Sequence, residues 1–136
     1  MGNANANVLE VMVNVMVTDD DIDDIMCVAL EWGINYWADR VNTKGKYRGK
    51  YAHKQISRGG ELLIHIEDPY DESDNGWRTL TKEKFLEGLK KWIATSGTGL
   101  ITLPNGNRLG IDTSNIDAEA ADTIIQYALF GENVFG

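Results

Sequence analysis

Cysteine occurs once in this 136-residue chain, at Cys27, and histidine twice, at His53 and His65. One thiol cannot close an internal disulfide, and Cys27 is expected on the buried side of a helix as a small core residue. Two histidines without a further histidine or cysteine at ligand spacing leave a zinc-type site without donors, so no metal and no cofactor is expected. No apolar run is long enough to span a membrane. Met1 to Asn7 has neither the basic start nor the apolar core of a signal peptide. A cytoplasmic protein without a membrane partner is therefore expected. The phosphate-loop pattern Gly-x-x-x-x-Gly-Lys-Ser/Thr and the Gly-x-Ser-x-Gly elbow are both missing, which leaves nucleophilic hydrolysis without a visible seat.

Acidic residues are missing from one stretch of an otherwise acidic chain. Between Arg40 and Arg58 stand seven cations (Arg40, Lys44, Lys46, Arg48, Lys50, Lys54, Arg58) and no Asp or Glu, while the whole chain carries a formal charge of -8. The thirteen Lys and Arg less these seven leave six against twenty-one acids, so the rest of the chain sums to -15. One positive element on a negative body attracts an anion locally and disfavours direct nucleic-acid binding by the remainder.

The length fits one domain with its own core, and apolar and charged contents of 43% and 25% are those of a globular protein. After a polar tail at 1–7, apolar residues alternate from Val8 to Val17, which predicts a strand. Thr18 with Asp21 three residues on forms a capping box for a helix whose inward stripe is Ile22, Ile25, Met26, Ala29 and Leu30, stopped by Gly33. Ile34 to Val41 reads as a strand, 42–52 as a basic loop, and Ala52 to Ser57 as a short strand or helical turn. Leu62, Ile64 and Ile66 alternate in a strand after Gly59-Gly60, and 69–77 is a polar loop. Thr81 caps a second helix bearing Phe85, Leu86, Leu89, Trp92 and Ile93. A hairpin around Pro104-Asn105-Gly106-Asn107 and a third helix from Asp117 to Gly131 follow. The order predicts a single α+β domain, an antiparallel sheet with about three helices packed against it.

Within the basic tract, Ser57-Arg58-Gly59-Gly60 is the sharpest point. A hydroxyl, a forked guanidinium and two glycine amides suit a phosphate, Lys50 and Lys54 add charge, and Tyr36, Trp37 or Tyr51 offer stacking surfaces. The same residues also suit a solvated face beside a turn. Asp19, Asp21 and Asp23 have the alternate spacing of a calcium loop but sit in a helical pattern without the glycine and distal glutamate, and helix-start electrostatics accounts for them. Asp20, Asp23 and Asp24 form an acidic face that suits docking on a basic protein surface. His65 with Glu67 and Asp68 is the one acid/base grouping, and Trp32, Trp37 and Trp77 stand at element ends, as core lids or binding anchors. The apolar end, Val134-Phe135-Gly136, is expected to pack on the chain's own sheet or on another subunit.

Thr18 to Met26, Gly33 to Trp37 (Gly-Ile-Asn-Tyr-Trp), Ile56 to Leu62, Lys84 to Leu89 and Ile116 to Gly131 resemble a group of short acidic proteins of prophages and mobile elements of Gram-positive bacteria. Trp32 stands where a glycine is expected in that group, and His53 where a serine is. The resemblance covers most of the chain after Val17 and implies an accessory protein acting on host machinery, in the cytoplasm of the bacterial host. The expectation is a non-enzymatic protein that counteracts an antiviral defence, either sequestering an anionic nucleotide signal or blocking a defence effector. Alternatives are an acidic nucleic-acid mimic that inhibits an effector such as a CRISPR nuclease, and a small nucleotide- or phosphodiester-acting enzyme using His53 or His65. A homo-oligomer fits the apolar C-terminal end.

Overall fold

The computed structural model describes residues 6–68, 73–104 and 108–136. Parts of the expected tail, polar loop and hairpin turn, at 1–5, 69–72 and 105–107, lie outside the described residues. The first helix, α1 (Asp19–Val28), opens with the expected reciprocal cap: Asp21 N–H donates to Thr18 Oγ1 at 3.0 Å and Thr18 N–H to Asp21 Oδ2 at 2.9 Å. A wider turn, Ala29–Gly33, carries the helix to the expected glycine. Its apolar stripe is buried at Ile22, Ile25, Met26 and Ala29, with Leu30 at the margin. Cys27 is half-exposed rather than in the core, with its Sγ 3.5 Å from Glu31 Oε1; burial and the neighbouring carboxylate push its pKa up.

Three antiparallel strands form one sheet in the order β2 (Ala38–Lys44), β3 (Glu61–Ile66), β4 (Trp77–Leu80). The alternation in β3 does what its period requires: Leu62, Ile64 and Ile66 are fully buried, and the other three face outward. The strand expected from Ile34 begins four residues later, because Ile34 to Trp37 closes a turn, with Trp37 N–H and Ala38 N–H both donating to Ile34 O. Consequently Asn42 to Lys44, expected in the basic loop, belong to β2, and Lys44 pairs with Glu61 at 3.6 Å. Trp77, expected in a loop, begins β4.

Helix α2 (Lys82–Ser96) starts at its Thr81 cap and α3 (Ala118–Phe130) at Asp117, and both end on glycines in the left-handed region, Gly97 and Gly131. The two helices touch backbone to backbone at Gly88. A Cβ there would lie 2.5 Å from Ile124 O and 2.7 Å from Ala128 N, so any larger residue would force them apart. Phe85, Leu89, Ile124 and Ile125 fill the space between these helices, α1 and the buried face of β3.

A second small sheet has the order β1 (Val15–Met16), β6 (Leu109–Ile111), β5 (Leu100–Thr102). β5 and β6 are the expected hairpin, whereas β1 runs parallel to β6 over two residues only. The long strand expected from Val8 to Val17 is therefore reduced to its last residues, and Val8 to Asn14 are exposed and pair with nothing among the described residues. The result is a single α+β domain with two three-stranded sheets in place of one. Among the described residues no helix is long and apolar enough to cross a membrane, and no group of three His, Cys, Asp or Glu side chains could hold a metal.

Candidate functional site

The basic tract is a built lobe, and the residue that builds it is Gln55. Its side chain is 1% exposed; Oε1 accepts from Arg48 N–H at 2.9 Å and Nε2 donates to Lys46 O at 3.1 Å. The amide thus presents a donor and an acceptor to the loop as a neighbouring strand would. Ile56, fully buried, anchors the same turn in the core. Gly60 makes room: a Cβ there would sit 2.3 Å from Gln55 Nε2. Ala52 to Lys54 form one 3-10 turn, resolving the expected choice between strand and helical turn.

On this scaffold the cations stand outward. Lys46, Arg48, Lys50 and Arg58 are exposed and Lys54 is half-buried, and among the described residues none of the five has a carboxylate within ion-pair distance. Arg58 Nη1 reaches across the loop to Arg48 O at 3.3 Å. Tyr47 and Tyr51 are exposed between them; Lys50 Nζ lies 5.3 Å from the Tyr51 ring, and His53 stacks on Tyr51 at 5.5 Å. The two cations nearer β2 are committed elsewhere: Lys44 to Glu61, and Arg40 over the Trp77 ring at 5.0 Å.

The cradle expected at Ser57-Arg58-Gly59-Gly60 is not assembled. Ser57 is buried and its Oγ donates to Asp23 Oδ1 at 2.5 Å. Gly59 N–H donates to Ile56 O and Gly60 N–H to Gln55 O, so both amides close the turn instead of facing a ligand. Trp37 is buried and cannot stack on a base. Arg58, Lys50, Lys54 and Tyr51 are the expected ligand residues that the fold brings to one surface, joined by Lys46, Tyr47 and Arg48.

Tyr36 and Trp37 instead belong to a second polar centre. The buried Asp122 carboxylate accepts from Tyr36 Oη at 2.6 Å, Trp37 Nε1 at 2.7 Å and Gln126 Nε2 at 2.9 Å. Gln126, also buried, turns its Oε1 to the N–H groups of Val134 and Phe135, each at 2.7 Å. Phe135 stacks on Trp37 with ring centroids 5.2 Å apart. The apolar end thus docks on the chain itself. Burial of the Tyr36 hydroxyl and its bond to Asp122 push its pKa up to about 12. Trp32, 71% exposed, and Tyr36 line a shallow cleft of about 270 Å³ beside this centre.

The acidic face is largely engaged as well. Asp23 holds Ser57, Asp24 accepts from Thr113 Oγ1 at 3.1 Å, and Asp19 pairs with Lys82 at 3.2 Å, leaving Asp20 as the member of the expected trio without such a bond among the described residues. His65 does not join Glu67 and Asp68; its Nδ1 lies 2.6 Å from Asp39 Oδ1, and its ring packs on Trp77 at 4.8 Å. Asp39 is the extra residue where the β2–β3 register shifts, which swings its carboxylate to the imidazole, and that contact lowers the Asp39 pKa. Sequence reasoning missed Gln55, Asp122 and Gln126. Only for the last two was there a signal: they sit four apart on α3, on the stripe that also carries Ala121 and Ile125. No family model matches the chain, and neither a curated protein nor a solved structure is significantly similar to it.

Proposed function

We propose that this chain is a binding protein whose basic lobe, from Lys46 to Arg58, takes a phosphate-bearing small molecule. One observation carries the reading: five cations without carboxylate partners among the described residues, interleaved with exposed Tyr47 and Tyr51, stand on a loop held in shape by a buried glutamine. Charge left unpaired on a chain of net -8 is available to an external anion, and a pre-shaped loop loses less entropy when it binds. The exposed Tyr47 ring supplies a stacking surface, Tyr51 being already stacked on His53, which favours a nucleotide over inorganic phosphate. The resemblance to short proteins of prophages and mobile elements supports the setting: an accessory protein that sequesters an anionic nucleotide signal of a host antiviral defence. Binding rather than turnover is the reading because the lobe's own histidine, His53, is stacked on Tyr51, while the His65–Asp39 pair lies on β2 and β3, outside the lobe. Docking through the acidic face has less support, since Asp23 and Asp24 already hold Ser57 and Thr113.

The test is calorimetric titration with cyclic mononucleotides and dinucleotides. Arg58→Ala removes a charge-assisted contact of about 1.5–3 kcal/mol and should weaken binding roughly 10- to 100-fold. Asp20→Lys should leave binding intact or tighten it. Equal affinity in wild type and Arg58→Ala would count against the lobe.

A further inference from the structure

The residues leading into β1 form an exposed apolar stretch that the basic lobe does not explain. Val8, Leu9, Val11, Met12, Val13 and Met16 are exposed, Met12 by 102%, in a stretch from Val8 to Val17 whose one charge is Glu10. On one side β1 pairs with β6; on the other it is the sheet edge. Val11, Val13 and Val15 line an open cleft of about 620 Å³ together with Leu86, Ile93 and Leu100. An extended apolar edge with unpaired backbone groups is a template for another strand.

We infer that the strand is covered by the same strand of a second copy, paired antiparallel about a twofold axis at Met12. Three features select this occupant. The six exposed residues, Met12 fully so, offer a continuous apolar strip for a partner to cover. The stretch from Val8 to Val17 is nearly free of charge, so two chains of net -8 meet there with least repulsion. The segment is also self-complementary when reversed. Centring on Met12 places Glu10 opposite Asn14 of the second copy, Val8 opposite Met16, Leu9 opposite Val15, and Val11 opposite Val13. Its two polar residues then meet each other, and from Val8 to Met16 every apolar residue meets an apolar one on the same face. The β1-β6-β5 sheets of the two copies become one sheet of six strands, and identical patches close the assembly as a dimer.

Sedimentation of the full chain, with variants at Met12, tests this. Wild type should be a dimer. Met12→Lys sets two ammonium groups face to face on the axis and should raise the dimer dissociation constant by roughly thirtyfold or more, the size of an interface hot spot. Because Met12 is fully exposed in the single chain, the circular dichroism of the variant should be unchanged. In a Cys27→Ala background, Met12→Cys should form a covalent dimer on oxidation far more readily than Leu9→Cys, whose counterpart in the second copy is Val15. A monomeric wild type, a dimer indifferent to Met12→Lys, or equal crosslinking at positions 9 and 12 would each overturn the inference.

Discussion

Gln55 and Gly60 form one device, and breaking either half should have the same effect. Gln55→Ala removes two hydrogen bonds to Lys46 O and Arg48 N–H and leaves both backbone groups partly buried without partners. At about 1–1.5 kcal/mol for each bond, the expected loss is about 2–3 kcal/mol, or roughly 8–12 °C in melting temperature for a domain of this size. Gly60→Ala should approach the same loss by another route. The φ of Gly60 is not in the left-handed region, so alanine is conformationally acceptable there, and the obstacle is the Gln55 amide 2.3 Å from the new Cβ. Once Gln55 is alanine that obstacle is gone, and Gly60→Ala should become neutral or stabilising by about 0.4–1 kcal/mol, as glycine-to-alanine changes are at compatible positions. Urea unfolding of the four chains in this cycle gives the coupling energy, and hydrogen exchange at the Arg48 amide reports whether the loop has been released. Additive losses, or an Arg48 amide equally protected in wild type and Gln55→Ala, would refute the role given to Gln55.

Asp122→Ala withdraws the acceptor from Tyr36, Trp37 and Gln126 at once and should cost about 3–5 kcal/mol, with proteolysis beyond Phe130 reporting release of the docked end; a loss under about 1 kcal/mol would contradict the network. The raised pKa of Tyr36 has a definite sign. The unfolded chain gives up this proton near the ordinary value of 10.0, whereas the folded chain holds it to about 12. Its contribution is therefore complete below pH 10 and lost as pH rises through 12. Absorbance titration should show one tyrosine ionising late, and that step should vanish in Tyr36→Phe. The depressed pKa of Asp39 has the opposite sign: the His65 contact contributes above the ordinary carboxylate range and is lost on acidification through the folded pKa. Asp39→Asn should abolish that part of the acid dependence, as read from melting temperature against pH.

Local chemistry made much of this fold legible in the sequence. The Thr18–Asp21 box, the Thr81 and Asp117 caps, the stripes of α2 and α3 and the alternation of β3 are set by residues a few positions apart, and each is present. What failed depended on distant partners. Alternation from Val8 to Val17 predicts a strand, but a strand needs a neighbour along its length, and β6 supplies one for two residues only. Trp77 to Leu80 is too short to stand out, yet the open edge of β3 makes it β4. At the candidate site the sign and place of the charge were readable, whereas the geometry was not. Ser57 reads as a ligand hydroxyl because nothing near it in sequence discloses Asp23, and Gln55 gives no signal because its partners lie seven and nine positions back. Segments distant in sequence meet in pairs: Thr18 to Met26 meets Ile56 to Leu62 through Asp23 and Ser57, and Gly33 to Trp37 meets Ile116 to Gly131 through Asp122.

Native mass spectrometry of the protein purified from cells producing nucleotide defence signals addresses the basic lobe most directly. Wild type should retain a bound nucleotide that Arg58→Ala loses, with both proteins folded. A ligand-free wild type that instead co-purifies with a protein effector would contradict it.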